Sequence, residues 1–178
     1  ATETFVAIKV DIDNWRWAGV PFYLRTGKRM TTKRSEVVIF FKQLPHNIFK
    51  DSYKDLPPNK LVIRLQPDEG VEIEMLNKVP GIGKGIKLQK TMLNLSFSDT
   101  FSTEHIADAY ERLILEVMIG NQSLFIRRDE VESSWAWIDS IHEAWDSSQA
   151  PPRSYPAGSW GPVASVALLA RDGREWEE

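Results

Sequence analysis

The chain has no cysteine. That excludes a disulfide framework and any thiolate-held metal, and it fits a protein kept in a reducing compartment, so a cytoplasmic location is expected. Histidine is nearly as scarce: His46, His105 and His142 are far apart, share no ligand spacing, and belong to no Ser-His-Asp or Cys-His signature. Each reads as an ordinary surface or core side chain, and no metal site is expected. The 25 acidic residues could supply a carboxylate pair anywhere, which without spacing or context identifies none. Cationic charge is not in excess either. A net charge of -3 argues against a non-specific hold on nucleic acid, which comes from neutralising phosphates with surplus Lys and Arg. Nor does any apolar run approach the ~20 residues of a membrane span, and no charged-then-apolar leader opens the chain. It opens on Ala1-Thr-Glu-Thr and passes almost at once into a strand, which reads as a piece of something longer.

What the sequence does hold is enough for one domain. At 178 residues, 42% hydrophobic and with seven Trp, it can build a core and is not disordered. Its densest feature runs from Gly19 to Arg34, where a short apolar strand leads into a loop carrying Arg25, Lys28, Arg29, Lys33 and Arg34. Cations converging on one rim are a usual way to hold an anionic group such as phosphate. Gly27 is expected to give the loop a tight backbone path. A solvated charge run is the other reading, and charge alone does not choose between them.

Alternation of apolar and polar residues marks the strands. Residues 5–11 read as a strand covered on both faces. In 20–25, Phe22 and Leu24 point one way and Tyr23 and Arg25 the other. Val37 to Phe41 is a continuous apolar run and reads as a central strand buried on both sides. Residues 43–59, with Pro45, Pro57 and Pro58, form a surface excursion with a helical turn near Asn47 to Lys50. Leu61, Ile63 and Leu65 share one face of the next strand, which leaves Lys60, Val62, Arg64 and Gln66 on the other, so Arg64 and Gln66 can serve one site. Pro67-Asp-Glu-Gly70 is turn chemistry, and it joins this strand to a second in which Val71, Ile73 and Met75 oppose Glu72 and Glu74. Pro80 to Gly85 is glycine-rich but lies in neither a dinucleotide nor a P-loop context, because Lys84 is followed by Gly85 rather than Ser or Thr. It reads as a hairpin tip, after which Leu93, Leu95 and Phe97 alternate with polar residues.

From residue 103 the period becomes helical. Ile106, Ala109, Tyr110, Leu113, Ile114, Val117 and Met118 form one stripe, read as a core helix capped by Ser102 or Thr103. Asp129 with Glu132 announces a second helix bearing Val131, Trp135, Ile138, Ile141 and Trp145. Residues 151–156 are a linker, 158–162 a turn, and Val163 to Ala170 a short helix. Six extended runs followed by helices define an α+β domain, a large and mainly antiparallel β-sheet with helices packed on one face. The other face of the sheet is apolar enough to call for cover.

Four blocks then carry a resemblance. Trp17-Ala-Gly-Val-Pro-Phe-Tyr-Leu-Arg-Thr-Gly-Lys28, Ile63-Arg-Leu-Gln-Pro-Asp-Glu69, Asp108-Ala-Tyr-Glu-Arg-Leu113 and Gly161-Pro162 stand in the order and spacing of glucose-6-phosphate dehydrogenases, most like those of enteric-type bacteria. The resemblance covers essentially the whole chain and identifies it as the C-terminal, substrate-binding and dimerisation domain. It implies an oxidoreductase that takes glucose 6-phosphate to 6-phosphogluconolactone with NADP, the first step of the oxidative pentose phosphate pathway. It also implies a homodimer or tetramer formed through the sheet face. In that family the NADP-binding Rossmann domain and the catalytic His lie upstream of these blocks, so residues 1–178 alone are expected to be inactive.

By the same resemblance Lys28 and Lys33 hold the sugar phosphate or nearby hydroxyls and Gln66 makes a further substrate contact. Lys33 is Arg in some relatives, which would exchange a bidentate contact for a point charge. Arg25, Arg34 and Arg64 match positions that help bind a second NADP in animal members. Here Trp160 stands where those have a basic residue and Glu74 where they have Lys, so tight binding of that cofactor is not expected. A stand-alone dimerisation module, or a sugar-phosphate or nucleotide-binding module without catalysis, is the alternative.

Overall fold

The computed structural model describes residues 2–82, 85–105, 107–148 and 150–177. They form two compact units, one made of the chain up to Thr31 together with Ala107–Trp176, the other running from Thr32 to His105 and including Glu177.

In the first unit β1 (Phe5–Val10) and β2 (Phe22–Gly27) pair antiparallel, with Phe5 opposite Gly27, Ala7 opposite Arg25 and Lys9 opposite Tyr23. Gly27 is needed for space rather than for an unusual backbone angle: a Cβ there would lie 2.7 Å from Phe5 Cδ2. The left-handed conformation of this loop falls instead on Arg29, at φ 50°. That corrects the tight path expected of Gly27 itself.

The second unit holds one four-stranded antiparallel sheet in the order β3 (Ser35–Phe40), β4 (Lys60–Gln66), β5 (Gly70–Lys78) and β6 (Leu88–Ser96). The two hairpins expected around residues 67–69 and 80–85 are present, the second closed by the pair Lys78 and Leu88; Gly83 and Lys84 lie outside the described residues. The α+β class and antiparallel pairing stand, with six strands divided between two sheets. β3 is an edge strand and not the central one its apolar run suggested. Its Val37 and Ile39 are exposed, because a continuous apolar run also arises on an edge whose face awaits cover.

Four helices follow: α1 (Phe97–Thr100), α2 (Ala109–Ile119), α3 (Arg128–Ser148) and α4 (Val163–Ala170). Phe97 and Ser98, expected to prolong a strand, start α1, whose cap is Ser96. The cap of α2 is Asp108, which accepts from the Tyr110 N–H at 2.8 Å, rather than Ser102 or Thr103; Gly120 ends the helix in the left-handed region. Glu130 accepts from the Arg127 N–H at 3.0 Å, so α3 starts with a box two residues earlier than Asp129 and Glu132 would set it. Ile106 lies outside the described residues, and the rest of the stripe is not core. Tyr110, Ile114, Val117 and Met118 are exposed, and Glu116 is the residue that α2 buries. α4 lies against β1.

Candidate functional site

The cationic stretch is built differently on the two sides of Thr31. In the first unit the β1–β2 ladder continues one step beyond its last pair, because the Lys28 N–H donates to the Thr4 carbonyl at 2.8 Å. This fixes the Lys28 main chain while its side chain stays exposed, with no hydrogen bond or ion pair to its ammonium among the described residues. Three residues earlier, Arg25 lies over the rings of Trp160 and Trp176, 4.9 Å and 4.5 Å from their centroids. Trp176 is itself held by a hydrogen bond from Nε1 to the Ser165 carbonyl at 3.0 Å. The Arg25 guanidinium is therefore engaged by two indole rings, a cation–π arrangement that favours the charge.

In the second unit Lys33 is exposed, again with no ammonium partner among the described residues. Antiparallel pairing sets Gln66 opposite Ser35, so the amide sits two residues along from Lys33 at the same end of the sheet. Arg34 is paired with Glu36 at 3.1 Å and donates to the Glu177 carbonyl. Arg64 donates to Glu72 at 2.7 Å and to Asn94 at 3.0 Å. Gly70 makes room for it, since a Cβ there would fall 2.5 Å from Arg64 Nη2. Arg64 and Gln66 thus share a strand face, as the alternation predicts, but the Arg64 charge is turned to its neighbours across β5 and β6.

Glu74 lies in the same ionic face, 2.8 Å from the Lys90 ammonium and 3.4 Å from that of Lys60. The hydrogen bond from Lys90 is the largest effect and holds its carboxyl below the ordinary range; burial opposes it, and the Lys60 charge adds to the lowering. Burial opposes the charge on Lys60, yet its hydrogen bond to Glu177 and the two carboxylates carry its pKa upward. Among the described residues, no group of three His, Cys, Asp or Glu side chains is placed to hold a metal. No helix is long and apolar enough to cross a membrane.

The cations therefore separate into three that are already engaged (Arg25, Arg34 and Arg64) and three exposed without an ion pair among the described residues, Lys28, Arg29 and Lys33. Against known proteins, the family profile described as "Glucose-6-phosphate dehydrogenase, C-terminal domain" matches residues 1–177. The chain belongs to that family. It is 64% identical to the glucose-6-phosphate 1-dehydrogenase of Dickeya dadantii (strain 3937) over 99% of its length. It is 55% identical to that of Rhizobium meliloti (strain 1021), again over 99%. The chain spans only 36% of each of these relatives. A solved glucose-6-phosphate dehydrogenase in complex with its substrate glucose 6-phosphate is similar over 98% of this chain, at TM-score 0.85 and 34% identity, and the match covers 35% of that structure.

Sequence reasoning did not find Tyr155, whose hydroxyl donates to the Lys28 carbonyl at 2.7 Å, nor Asp172, which accepts from Lys9 at 2.9 Å and from Tyr23. Residues 151–156 read only as a linker, and no local pattern pairs a tyrosine there with a loop more than a hundred residues away.

Proposed function

We propose that this chain is the substrate-binding and oligomerisation part of an NADP-dependent glucose-6-phosphate dehydrogenase, in which Lys28 and Lys33 grip the sugar phosphate and Gln66 reads a sugar hydroxyl. One observation carries the reading: of the five cations between Arg25 and Arg34 in this member of the family, the two lysines and Arg29 are presented without an anion among the described residues while the arginines at 25 and 34 are engaged. Of the open three, the lysines are the ones the family resemblance assigns to the substrate. A dianionic phosphate suits two mobile ammonium groups, and an amide with both donor and acceptor suits a hydroxyl. Binding energy gathered on the phosphate, remote from C1, orients the carbon that gives up hydride to the nicotinamide.

The chain spans about a third of its named relatives, 36%. We therefore expect the 178 residues alone not to reduce NADP with glucose 6-phosphate. A second, structural NADP fits poorly. Arg64 and Arg34 already have Glu72 and Glu36 as counter-charges, Arg25 lies against two indoles, and Glu74 adds negative charge. The apolar sheet face supports assembly into dimers or higher multiples.

The deciding experiment is Lys28→Ala in the complete enzyme. Loss of a charge-assisted contact of ~1.5–3 kcal/mol should raise KM for glucose 6-phosphate by at least about tenfold. KM for NADP should stay within about twofold, and any turnover of unphosphorylated glucose should be unaffected. Equal losses for phosphorylated and unphosphorylated sugar would remove the phosphate assignment.

A further inference from the structure

The loop that carries Lys28 is held in an unfavourable backbone shape by a distant segment. Arg29, next to Lys28, has φ 50°, a region that residues other than Gly, Asn and Asp rarely occupy. Such a conformation persists only where the surroundings over-determine it. Here residues 155–159 do so. The Tyr155 hydroxyl donates to the Lys28 carbonyl at 2.7 Å and lies 3.0 Å from the Thr4 carbonyl, the same oxygen that accepts from the Lys28 N–H. The Gly158 N–H donates to the Arg29 carbonyl at 2.8 Å, and Thr31 Oγ1 donates to the Gly158 carbonyl at 3.1 Å. Met30 and Ser159 close a parallel bridge between the two segments.

Tyr155 is locked in turn. Its ring packs on Phe5 with centroids 5.3 Å apart, and Phe5 fills the space left by two glycines. A Cβ on Gly161 would fall 2.2 Å from Phe5 Cε2, and one on Gly27 would fall 2.7 Å from Phe5 Cδ2. Glycines at 27 and 161 thus seat Phe5, Phe5 seats the Tyr155 ring, and the Tyr155 hydroxyl takes up the Lys28 carbonyl. All five lie in the first unit.

We propose that Tyr155 is the positioning residue for Lys28: its hydroxyl fixes the main chain from which the Lys28 ammonium is presented to a sugar phosphate. This rests on the assignment of Lys28 to the phosphate. Lysine reaches its ligand through a flexible four-carbon stem, so the one part of it that can be aimed in advance is the backbone at its root. With the hydroxyl removed, the Lys28–Arg29 peptide loses the bond that opposes the Arg29 strain, and the ammonium samples a wider volume. Binding of the phosphate then has to supply the ordering that Tyr155 supplied beforehand.

The test is a double-mutant cycle in the complete enzyme, with Tyr155→Phe, Lys28→Ala and the pair. Tyr155→Phe keeps the ring on Phe5 and deletes only the hydroxyl. The expected result is a rise of roughly five- to tenfold in KM for glucose 6-phosphate with KM for NADP unchanged, as the loss of one hydrogen bond implies. In the Lys28→Ala background the same change should alter KM by less than about twofold, because residues acting through one another are not additive. An unchanged KM in the single variant, or the same factor in both backgrounds, overturns the inference. If Lys28→Ala itself leaves KM for glucose 6-phosphate alone, the phosphate assignment fails first and the positioning role falls with it. Should Tyr155→Phe melt below assay temperature, Thr31→Val cuts the Thr31–Gly158 bond instead. It should raise KM by about two- to threefold, again only while Lys28 is present; no rise overturns the proposal.

Discussion

At the scale of single residues, the first unit is tied together by Asp172, just past α4. One carboxylate oxygen accepts from the Tyr23 hydroxyl and, at 2.9 Å, from the Lys9 ammonium, while the Arg174 guanidinium lies 5.8 Å from the Tyr23 ring centroid. The hydrogen bond from Tyr23, then that from Lys9, holds the Asp172 carboxyl below its ordinary value of 3.8. The bond to Asp172 carries Lys9 above 10.5. The signs define a window. Asp172 has a lowered folded pKa, so its contribution is present above 3.8 and fades as pH falls through the lowered value; Lys9 has a raised one, so its contribution is present below 10.5 and fades as pH rises through the raised value. Asp172→Asn should lower the melting temperature of the protein by about 1–3 °C at neutral pH, a small effect because the pair is exposed. Thermal melts across pH should bring the two proteins together at both extremes, and a gap that persists unchanged in acid would remove the ion-pair explanation. These contacts also mark the limit of what the sequence makes legible. Lys28, Lys33 and Gln66 could be named from charge, strand alternation and resemblance. Tyr155 and Asp172 could not, because their partners lie 127 and 163 residues away and nothing local announces the pairing.

Elements succeed or fail by the same logic. The strand at Lys60–Gln66 and the helix at Val163–Ala170 fall where their periodicity places them, since alternation and helical spacing are local properties. What periodicity does not contain is which neighbour covers a face, so the apolar run of β3 belongs to an edge rather than a centre, and α2 shows its stripe to the surface rather than to a core. The ionic face of the four-stranded sheet is better specified. Lys60 on β4, Glu74 on β5 and Lys90 on β6 form a chain of ion pairs across three strands, and Glu74 is its centre. Glu74→Gln leaves two ammonium groups without their shared counter-ion. A loss of about 1 kcal/mol is expected at low ionic strength, since Lys60 and Glu74 are largely covered although Lys90 is exposed. Raising salt to roughly 1 M, where the screening length is ~3 Å, should shrink the difference between the two proteins in denaturant melts. A salt-independent difference would point to lost packing instead.

For the whole molecule, the question is why so little apolar surface is covered. Leu56, Val62 and Leu169 are the hydrophobic residues buried among those described. Two apolar rows cross all four strands of the larger sheet, Val37–Ile63–Val71–Leu95 and Ile39–Leu61–Ile73–Leu93, on the face opposite the ion pairs. Val37, Ile39, Leu93 and Leu95 are between 41% and 58% exposed. Exposed apolar patches of more than a few hundred Å² are rare on monomers. Four strands at ~4.8 Å spacing and a nine-residue β5 make a face of roughly 19 by 30 Å. With side-chain relief that approaches the ~800 Å² each partner contributes to a standard interface. A second copy meeting this face would bury it on both, as a two-fold axis allows with one patch. The purified chain should therefore sediment as a dimer at micromolar concentration. Leu93→Lys places a charge in the middle of the apolar rows and should shift it to monomer, at little cost to the fold because Leu93 is 58% exposed in the single chain. Met92→Lys supplies the control. Met92 is next to Leu93 on the same strand, equally exposed at 58%, but lies on the ionic face beside Glu74, and it should leave the dimer intact. If both variants dissociate alike, or the chain is monomeric throughout, the sheet face is not the surface that joins the copies.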